Sequence, residues 1–219
     1  MAGTERRSQP REPLSRERIV EAALARIDDE GLDSLSMRRL GSDLGVEAMS
    51  LYNYFDTKEE MLDAVVALMV IAVRAPGPEV ESWRERLLET ARSFRAVATS
   101  HPNAFPLFMA RPVGAYLSGR AAAEASIGTL MAAGFDQPSA IRAFRAIARY
   151  IVGFCMAEAA GSRQAADIPT GIDVEGSLIS GVMADLVDSD DDSLFEYGMS
   201  LIVTGLEVSL SGAEPSHSG

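Results

Sequence analysis

The stretch between residues 38 and 58 carries side chains that suit contact with a nucleic-acid duplex. Cations lie at its two ends, Arg38 and Arg39 on one side and Lys58 on the other, where they can bind phosphates. Between them, the outward face of a predicted short helix offers hydroxyls, an amide and small or apolar groups. A surface helix that only faces water usually carries Glu and Lys instead. These uncharged candidates are Ala48, Met49, Ser50, Tyr52, Asn53 and Tyr54. This combination favours a DNA-binding surface, in which the uncharged side chains contact base edges and the cations on either side bind phosphates.

Residue types that support enzymatic or metal chemistry are scarce. The chain has two histidines, His101 and His217, and none of the motifs of a nucleophile elbow, a phosphate loop or a dinucleotide site. We expect His101 at a helix end or in a loop. The single cysteine, Cys155, lies on the apolar face of a predicted helix, which favours a core thiol over a redox sensor. We therefore expect no catalytic residue, no metal site and no cofactor.

A second group of candidates is apolar and largely aromatic, and it comes from four separate segments of the C-terminal part. One interpretation is that all of these residues form core, and another is that some line a cavity for a small molecule. Both can hold at once. The group comprises Phe94, Phe105, Phe108, Met109, Leu130, Met131, Phe144, Ile147 and Phe154.

Helices must position both groups, because apolar residues recur at helical spacing and no stretch alternates as a strand does. The predicted fold class is all-α. Ser15, Ser36 and Thr57 are predicted N-caps, the last in a capping box with Glu60, and Gly45 stops a two-turn helix. Helices are predicted over about 16–30, 36–44, 47–55, 58–73, 82–99, 116–133, 138–160, 174–188 and 193–210.

The two short helices around Gly45 have the pattern of a helix-turn-helix, whose second helix lies in a major groove. A break at 76–78, Pro-Gly-Pro, separates this head from a larger helical body. We therefore predict an N-terminal three-helix helix-turn-helix head and a larger ligand-binding and dimerisation body. The predicted divisions are a flexible arm at 1–14, the DNA-binding domain at 15–74, the body at 75–212 and a flexible tail at 213–219.

The net charge of −12 is unevenly distributed. Residues 164–219 hold eleven acidic residues and no Lys or Arg, which leaves residues 1–163 with 20 basic and 21 acidic groups. An acidic C-terminal part and a nearly neutral, basic-patched N-terminal part are compatible with DNA binding. The N-terminus lacks the apolar stretch of a secretory signal, and we expect a cytoplasmic protein outside the membrane.

Two predicted helices carry apolar stripes wide enough for an interface between subunits. The helix at 138–160 includes Ile151 in such a stripe, and the helix at 193–210 includes Leu201 together with Gly198 and Gly205, which let another helix approach. Two such helices from each of two subunits would form a four-helix interface in a homodimer. The alternative is a monomer that packs both stripes internally.

Three stretches resemble the DNA-binding head of the tetracycline-repressor family: LSRERIVEAAL at 14–24, GLDSLSMRRL at 31–40 and LGVEAMSLYNYFDTKEEML at 44–62. The body is similar to the family's as well, at Glu81-Ser-Trp, Ser93-Phe-Arg, Ser100-His, Arg111-Pro and Gly134-Phe. The resemblance implies that Tyr52 and Lys58 hold phosphates. It implies base-edge or other DNA contacts for Arg38, Ala48, Met49, Ser50 and Tyr54. The family's tetracycline-responsive member has Gln and Pro at the positions of Ala48 and Met49, so a different operator is expected.

The resemblance also implies an effector cavity between the helices of the body. Our candidate lining residues are Thr90, Phe94, Phe108, Ser126, Leu130, Phe144 and Ile147. Phe108 stands where the tetracycline-responsive member has a metal-binding histidine, which favours a mainly apolar or aromatic effector. The function implied is a dimeric repressor that binds a palindromic DNA operator and releases it when a small-molecule effector binds. The alternative is a helical enzyme or adaptor that retains the head.

Overall fold

The computed structural model describes residues 13–77, 79–111, 119–164 and 190–212, and this part of the chain contains helices and no strand. The predicted helix at 174–188, most of the predicted arm and the predicted tail lie outside these ranges. The α-helices are α1 (Arg16–Glu30), α2 (Met37–Leu44), α3 (Ala48–Leu51), α4 (Lys58–Ile71), α5 (Trp83–Ser100), α6 (Pro106–Ala110), α7 (Arg120–Ala132), α8 (Gln137–Gln164) and α9 (Asp191–Ser211).

The starts of the head helices follow the predicted caps. The hydroxyl of Ser15 accepts a hydrogen bond from the Arg18 amide at 3.2 Å, and Ser36 caps α2 in the same way. Thr57 accepts from the Glu60 amide at 3.1 Å, while the Glu60 carboxylate accepts from the Asp56 amide at 2.8 Å. Each bond satisfies a backbone donor that the first turn of a helix leaves without a partner.

Two helix ends differ from the prediction. Regular helix in α3 ends at Leu51 instead of near Phe55, because the amides of Tyr54 and Phe55 both turn back to the Leu51 carbonyl. In contrast, α8 continues to Gln164, four residues past the predicted end at 160, where the polar and Gly/Pro-containing residues 161–173 were expected to form a loop. The added residues begin with Gly161, and a glycine within a helix lowers its stability without stopping it.

The apolar side chains form two clusters. The first joins α1, α2, α3 and α4, and it also takes in Ala104 and Leu107 from the region of α6. The second joins α5, α7, α8 and α9. Phe108 packs against both clusters. The head is therefore in direct apolar contact with α6, a helix of the body.

Within the described ranges, no helix combines the length and hydropathy needed to cross a membrane. The same residues include no group of three or more His, Cys, Asp or Glu side chains that could hold a metal ion.

Candidate functional site

The turn between α2 and α3 fixes the orientation of α3. Gly45 adopts the left-handed conformation with φ 68° and ψ 34°, which a residue with a side chain rarely tolerates. Gly41 faces the turn so closely that a Cβ atom there would lie 2.9 Å from the Val46 carbonyl oxygen. Leu51 is fully buried in the head core, so this side of α3 packs against the core. The opposite surface of α3 consequently faces outward.

The structure separates the eight predicted DNA-contacting residues into two groups. Met49 has 71% of its surface exposed and Tyr52 has 42%. The exposed group is Arg38, Met49, Tyr52 and Asn53. The half-buried group is Ala48, Ser50, Tyr54 and Lys58. The exposed residues lie on α2, on α3 and in the turn after it, which is the surface that a helix-turn-helix presents to a groove.

Tyr54 and Lys58 make hydrogen bonds within the head. The Tyr54 hydroxyl donates to the Leu14 carbonyl at 2.7 Å, which joins the residue before the Ser15 cap of α1 to the end of the helix-turn-helix. The Lys58 ammonium donates to the Leu35 carbonyl at 2.7 Å and so sits beside the residue that precedes the Ser36 cap. An ammonium has three donors, so Lys58 retains protons for a phosphate.

Arg16, the first residue of α1, joins that helix to the residues after α3 and to the start of α4, a role that the sequence did not indicate. Its guanidinium lies 4.0 Å from the centre of the Phe55 ring, donates to the Tyr54 carbonyl at 2.5 Å and pairs with Glu60 at 2.7 Å. The Arg16 hydrogen bond, helped by the Asp56 amide, lowers the pKa of Glu60 below its ordinary value. These partners are far away along the chain, so no local pattern reveals them.

A cavity of about 360 Å³ lies in the body. Its walls come from the end of α4 and the residues after it, α5, α6, the start of α7, and α8. The lining residues are Val70, Val73, Leu87, Thr90, Ala91, Phe94, Phe108, Met109, Gly119, Ala122, Ala123, Ser126, Phe144, Ile147, Ala148, Ile151 and Val152. Six of our seven candidates are among them: Thr90, Phe94, Phe108, Ser126, Phe144 and Ile147.

Leu130 is the candidate that the cavity does not include. It has no exposed surface and packs inside the second apolar cluster, so it belongs to the core and not to the described cavity lining. Phe94 and Phe108 meet edge to face at 5.4 Å between ring centres. Phe105, which the sequence also marked, stacks on Phe108 at 5.7 Å and is almost entirely buried.

Most of the lining residues that the sequence analysis missed are small or aliphatic, and nothing in their chemistry marks them. Their spacing would have identified them. On α5 the lining positions are 87, 90, 91 and 94, and the same spacing recurs at 119, 122, 123 and 126. Positions three and four apart share one face of a helix. Extending Phe94 along α5 and Phe144 along α8 would therefore have found the other lining residues of those two helices.

The polar groups of the cavity are sparse. Thr90 and Ser126 are the only polar side chains among the lining residues that the structure describes. The Thr90 hydroxyl donates to the Arg86 carbonyl at 2.8 Å, and the Ser126 hydroxyl donates to the Ala122 carbonyl at 2.9 Å. With their protons engaged in their own helices, both oxygens are available only as acceptors.

Several contacts join the cavity to the head. Val70 of α4 belongs to the head core and also lines the cavity. At the end of α6, Arg111 pairs with Asp63 of α4 and donates to the Glu59 carbonyl at 2.7 Å. Before α6, His101 lies 2.7 Å from the carboxylate of Asp28 in α1. A displacement of α4 or α6 at the cavity would therefore reach α1 and the start of α4.

The apolar stripes of α8 and α9 divide between interior and surface. Ile151, expected at an interface, is instead buried within its own chain and lines the cavity. Gly198 permits a close approach by Tyr150 of the same chain, and not by a partner helix. The outer side of α9 leaves large apolar side chains in solvent: Leu194, Tyr197, Leu201 and Val208. Leu201 is 56% exposed, which keeps this side available as an interface.

Comparison with known proteins agrees with this arrangement. Residues 19–65 match the family of bacterial regulatory proteins of the tetR type, and residues 75–210 match the tetracyclin repressor-like C-terminal domain. The chain belongs to the TetR family. Together the two matches include α3 with its turn and every described lining residue of the cavity except Val70 and Val73. As a TetR-family member, the protein is a DNA-binding transcriptional regulator.

Relatives of the TetR family resemble this chain over most of its length. The class A tetracycline repressor from transposon 1721 of Escherichia coli is 30% identical over 194 residues, which cover 86% of this chain and 88% of the relative. Streptomyces coelicolor ActR in complex with actinorhodin has a TM-score of 0.74 at 27% identity, covering 91% of this chain and 99% of ActR. BioQ with its double-stranded DNA operator has a TM-score of 0.65 at 26% identity, covering 90% and 99%.

Proposed function

We propose that the protein is a ligand-responsive transcriptional repressor that binds a palindromic operator as a homodimer. A small, mainly apolar or aromatic effector would enter the cavity and release the DNA. The observation that carries this proposal is that α4 begins beside the helix-turn-helix and ends in the cavity wall at Val70. We also infer that the protein has no enzymatic activity, since the relatives are named as regulators and repressors.

On DNA, α3 would lie in the major groove with Ala48, Met49 and Ser50 against base edges. Arg38 would reach a base edge from α2, while Tyr52 and Lys58 would hold phosphates on either side. Asn53 and Tyr54 complete the contact surface. Half of these side chains are exposed, and Lys58 retains free donors, so little rearrangement of the head is needed. We assign this role to residues 15–74.

In the body, residues 75–212 would bind the effector and form the dimer. The cavity suits an uncharged molecule, because among its described lining residues no side chain carries a charge that could compensate one. Phe94, Phe108 and Phe144 favour a flat aromatic ligand. Thr90 and Ser126 act only as acceptors, so the polar groups of the effector that face them should be donors such as phenolic hydroxyls. The complex of ActR with actinorhodin supports this proposal, because it shows that a related protein binds a small molecule.

Release would follow from displacement of α4 and α6. An effector that presses on Val70 and Phe108 moves both helices, and Arg111 passes the movement of α6 to α4 through Asp63 and the Glu59 carbonyl. In a dimer, such a shift changes the separation of the two α3 helices, which must fit half-sites about one helical turn apart. A hundredfold loss of operator affinity corresponds to about 2.7 kcal/mol of coupling, which is within the ordinary range.

The test has two stages. Selection from random duplexes should first enrich a partly palindromic sequence, which then serves as the operator. Uncharged polycyclic phenols are next titrated by calorimetry into the protein with and without this operator. We expect the operator to weaken an effector by the same factor by which the effector weakens the operator.

The control is Lys58→Ala, which should weaken binding to every duplex similarly and leave effector binding in the free protein unchanged. Failure to enrich any palindrome would contradict the repressor function. Equal effector affinity with and without operator would contradict the release mechanism, because a ligand indifferent to two states cannot shift them.

A further inference from the structure

The outward surface of α3 is unusually apolar for a surface that meets DNA. Met49 has 71% of its surface exposed, the same fraction as Ile71 at the far end of α4 and more than any other large apolar residue of the described head. Ala48 beside it is half-buried, and no residue from 48 to 55 carries a charge. The side chains that usually read guanine, Arg and Lys, are therefore missing from α3 itself.

The bases differ in what they offer such a surface. In the major groove guanine, adenine and cytosine are told apart by hydrogen-bond donors and acceptors, whereas thymine alone also presents a 5-methyl group. Neither Ala48 nor Met49 has a strong donor or acceptor in its side chain. A methionine has three rotatable bonds and a polarisable thioether, so it can adapt its shape to cover a methyl group.

Resting on the operator-binding function proposed above, we propose that Met49 is a specificity-determining residue that selects thymine in each half-site by covering its 5-methyl group. Its exposure in the free head supports this role. Because the side chain already lies outside the apolar core, it contacts a base without leaving a gap behind. A residue that only stabilised the head would be buried beside Leu51, which has no exposed surface.

The size of the effect follows from the area that one methyl group removes from water. Burial of one such group changes an equilibrium by about fourfold. In a symmetric dimer two thymines are covered, so removal of both methyl groups should weaken binding by about fifteenfold. The salt dependence should stay the same, because no phosphate contact is lost.

The experiment replaces thymine by uracil, which differs only in the 5-methyl group. The operator is first obtained from a random library that contains thymine. Duplexes are then synthesised with uracil at one symmetric pair of thymine positions at a time, and their dissociation constants are measured by fluorescence anisotropy at fixed salt. For the unmodified protein we expect a loss of about fifteenfold at one pair of positions.

Met49→Ala should bind the thymine operator about fifteenfold more weakly and bind thymine and uracil duplexes equally. Met49→Leu keeps an apolar side chain and should keep a preference for thymine. Met131→Ala removes an exposed methionine from α7, far from the head in sequence, and should behave as the unmodified protein does. Circular dichroism of each variant shows whether its helices are intact.

Three results overturn the inference. If uracil has no effect at any position on the unmodified protein, no methyl group is read, although the repressor function stands. If Met49→Ala remains folded and keeps the full thymine preference, another side chain reads the methyl group. If no sequence is enriched from the thymine library, the proposed operator binding fails and this inference fails with it.

Discussion

Replacement of Gly41 by valine tests whether the contact between α2 and the turn sets the position of α3. A Cβ atom at this position would lie 2.9 Å from the Val46 carbonyl oxygen, 3.1 Å from the Ala48 nitrogen and 3.3 Å from the Ala48 Cα. All three are backbone atoms, so none can rotate away as a side chain does. Relief of the clash therefore requires movement of the turn and of α3 with it.

The expected cost is the difference between two effects. Overpacking of a tight contact destabilises a protein by about 1–3 kcal/mol. Valine in place of glycine in a helix recovers about 0.4 kcal/mol of helix propensity. We therefore expect Gly41→Val to lower the free energy of unfolding by about 2 kcal/mol, which corresponds to a fall of about 4–8 °C in Tm. Gly41→Ala adds a single methyl group, so its Tm should lie between those of the unmodified protein and Gly41→Val.

Gly128 provides the matched control. It also lies within a helix, α7, but an added Cβ atom would meet nothing within 4 Å. Gly128→Val gains the same helix propensity without the clash, so its Tm should equal or slightly exceed that of the unmodified protein.

Thermal unfolding by circular dichroism measures stability, and anisotropy with the selected operator measures binding. Gly41→Val should lose operator affinity by at least about tenfold, equivalent to about 1.4 kcal/mol. If Gly41→Val and Gly128→Val have the same Tm and bind the operator equally well, our account of the turn is wrong.

Three further predictions concern the body. Thr90→Trp should fill the cavity and lower effector affinity in calorimetry, while operator binding stays largely intact. If effector affinity is unchanged, the effector binds outside this cavity. Leu201→Glu should introduce an unpaired charge at the apolar outer side of α9, costing several kcal/mol, and light scattering should detect monomers that no longer retain the operator. A wild-type monomer at micromolar concentration would contradict this interface. Burial raises the pKa of the Cys155 thiol to about 12, so folded protein should resist alkylation by iodoacetamide up to about pH 10, whereas unfolded protein reacts increasingly above about pH 8.5. Because ionisation is favoured in the unfolded chain over this pH range, stability should decrease as pH rises above about 8.5. Equal alkylation rates for folded and unfolded protein would refute the burial.

The sequence by itself determined the elements of the head and their order. Ser15, Ser36 and Thr57 each cap a helix through a bond to an amide three residues later, and Gly45 ends α2 through its own backbone conformation. Such interactions depend on neighbours within about one turn of helix, so a local pattern is sufficient to reveal them. The aromatic residues of the described cavity lining, Phe94, Phe108 and Phe144, were also among the candidates, because the resemblance to the tetracycline-repressor family implied a cavity at their positions.

The tertiary structure decided which side chains face a partner and which face the interior. Ile151 and Leu201 have the same apolar character, yet Ile151 lines the cavity while Leu201 remains in solvent. Leu130 lies in the apolar core and outside the described cavity lining, although its chemistry suits the lining equally well. The rotation of each helix about its own axis is fixed by contacts with several other helices at once. Residues far apart along the chain supply those contacts, and a pattern confined to one helix cannot determine their outcome.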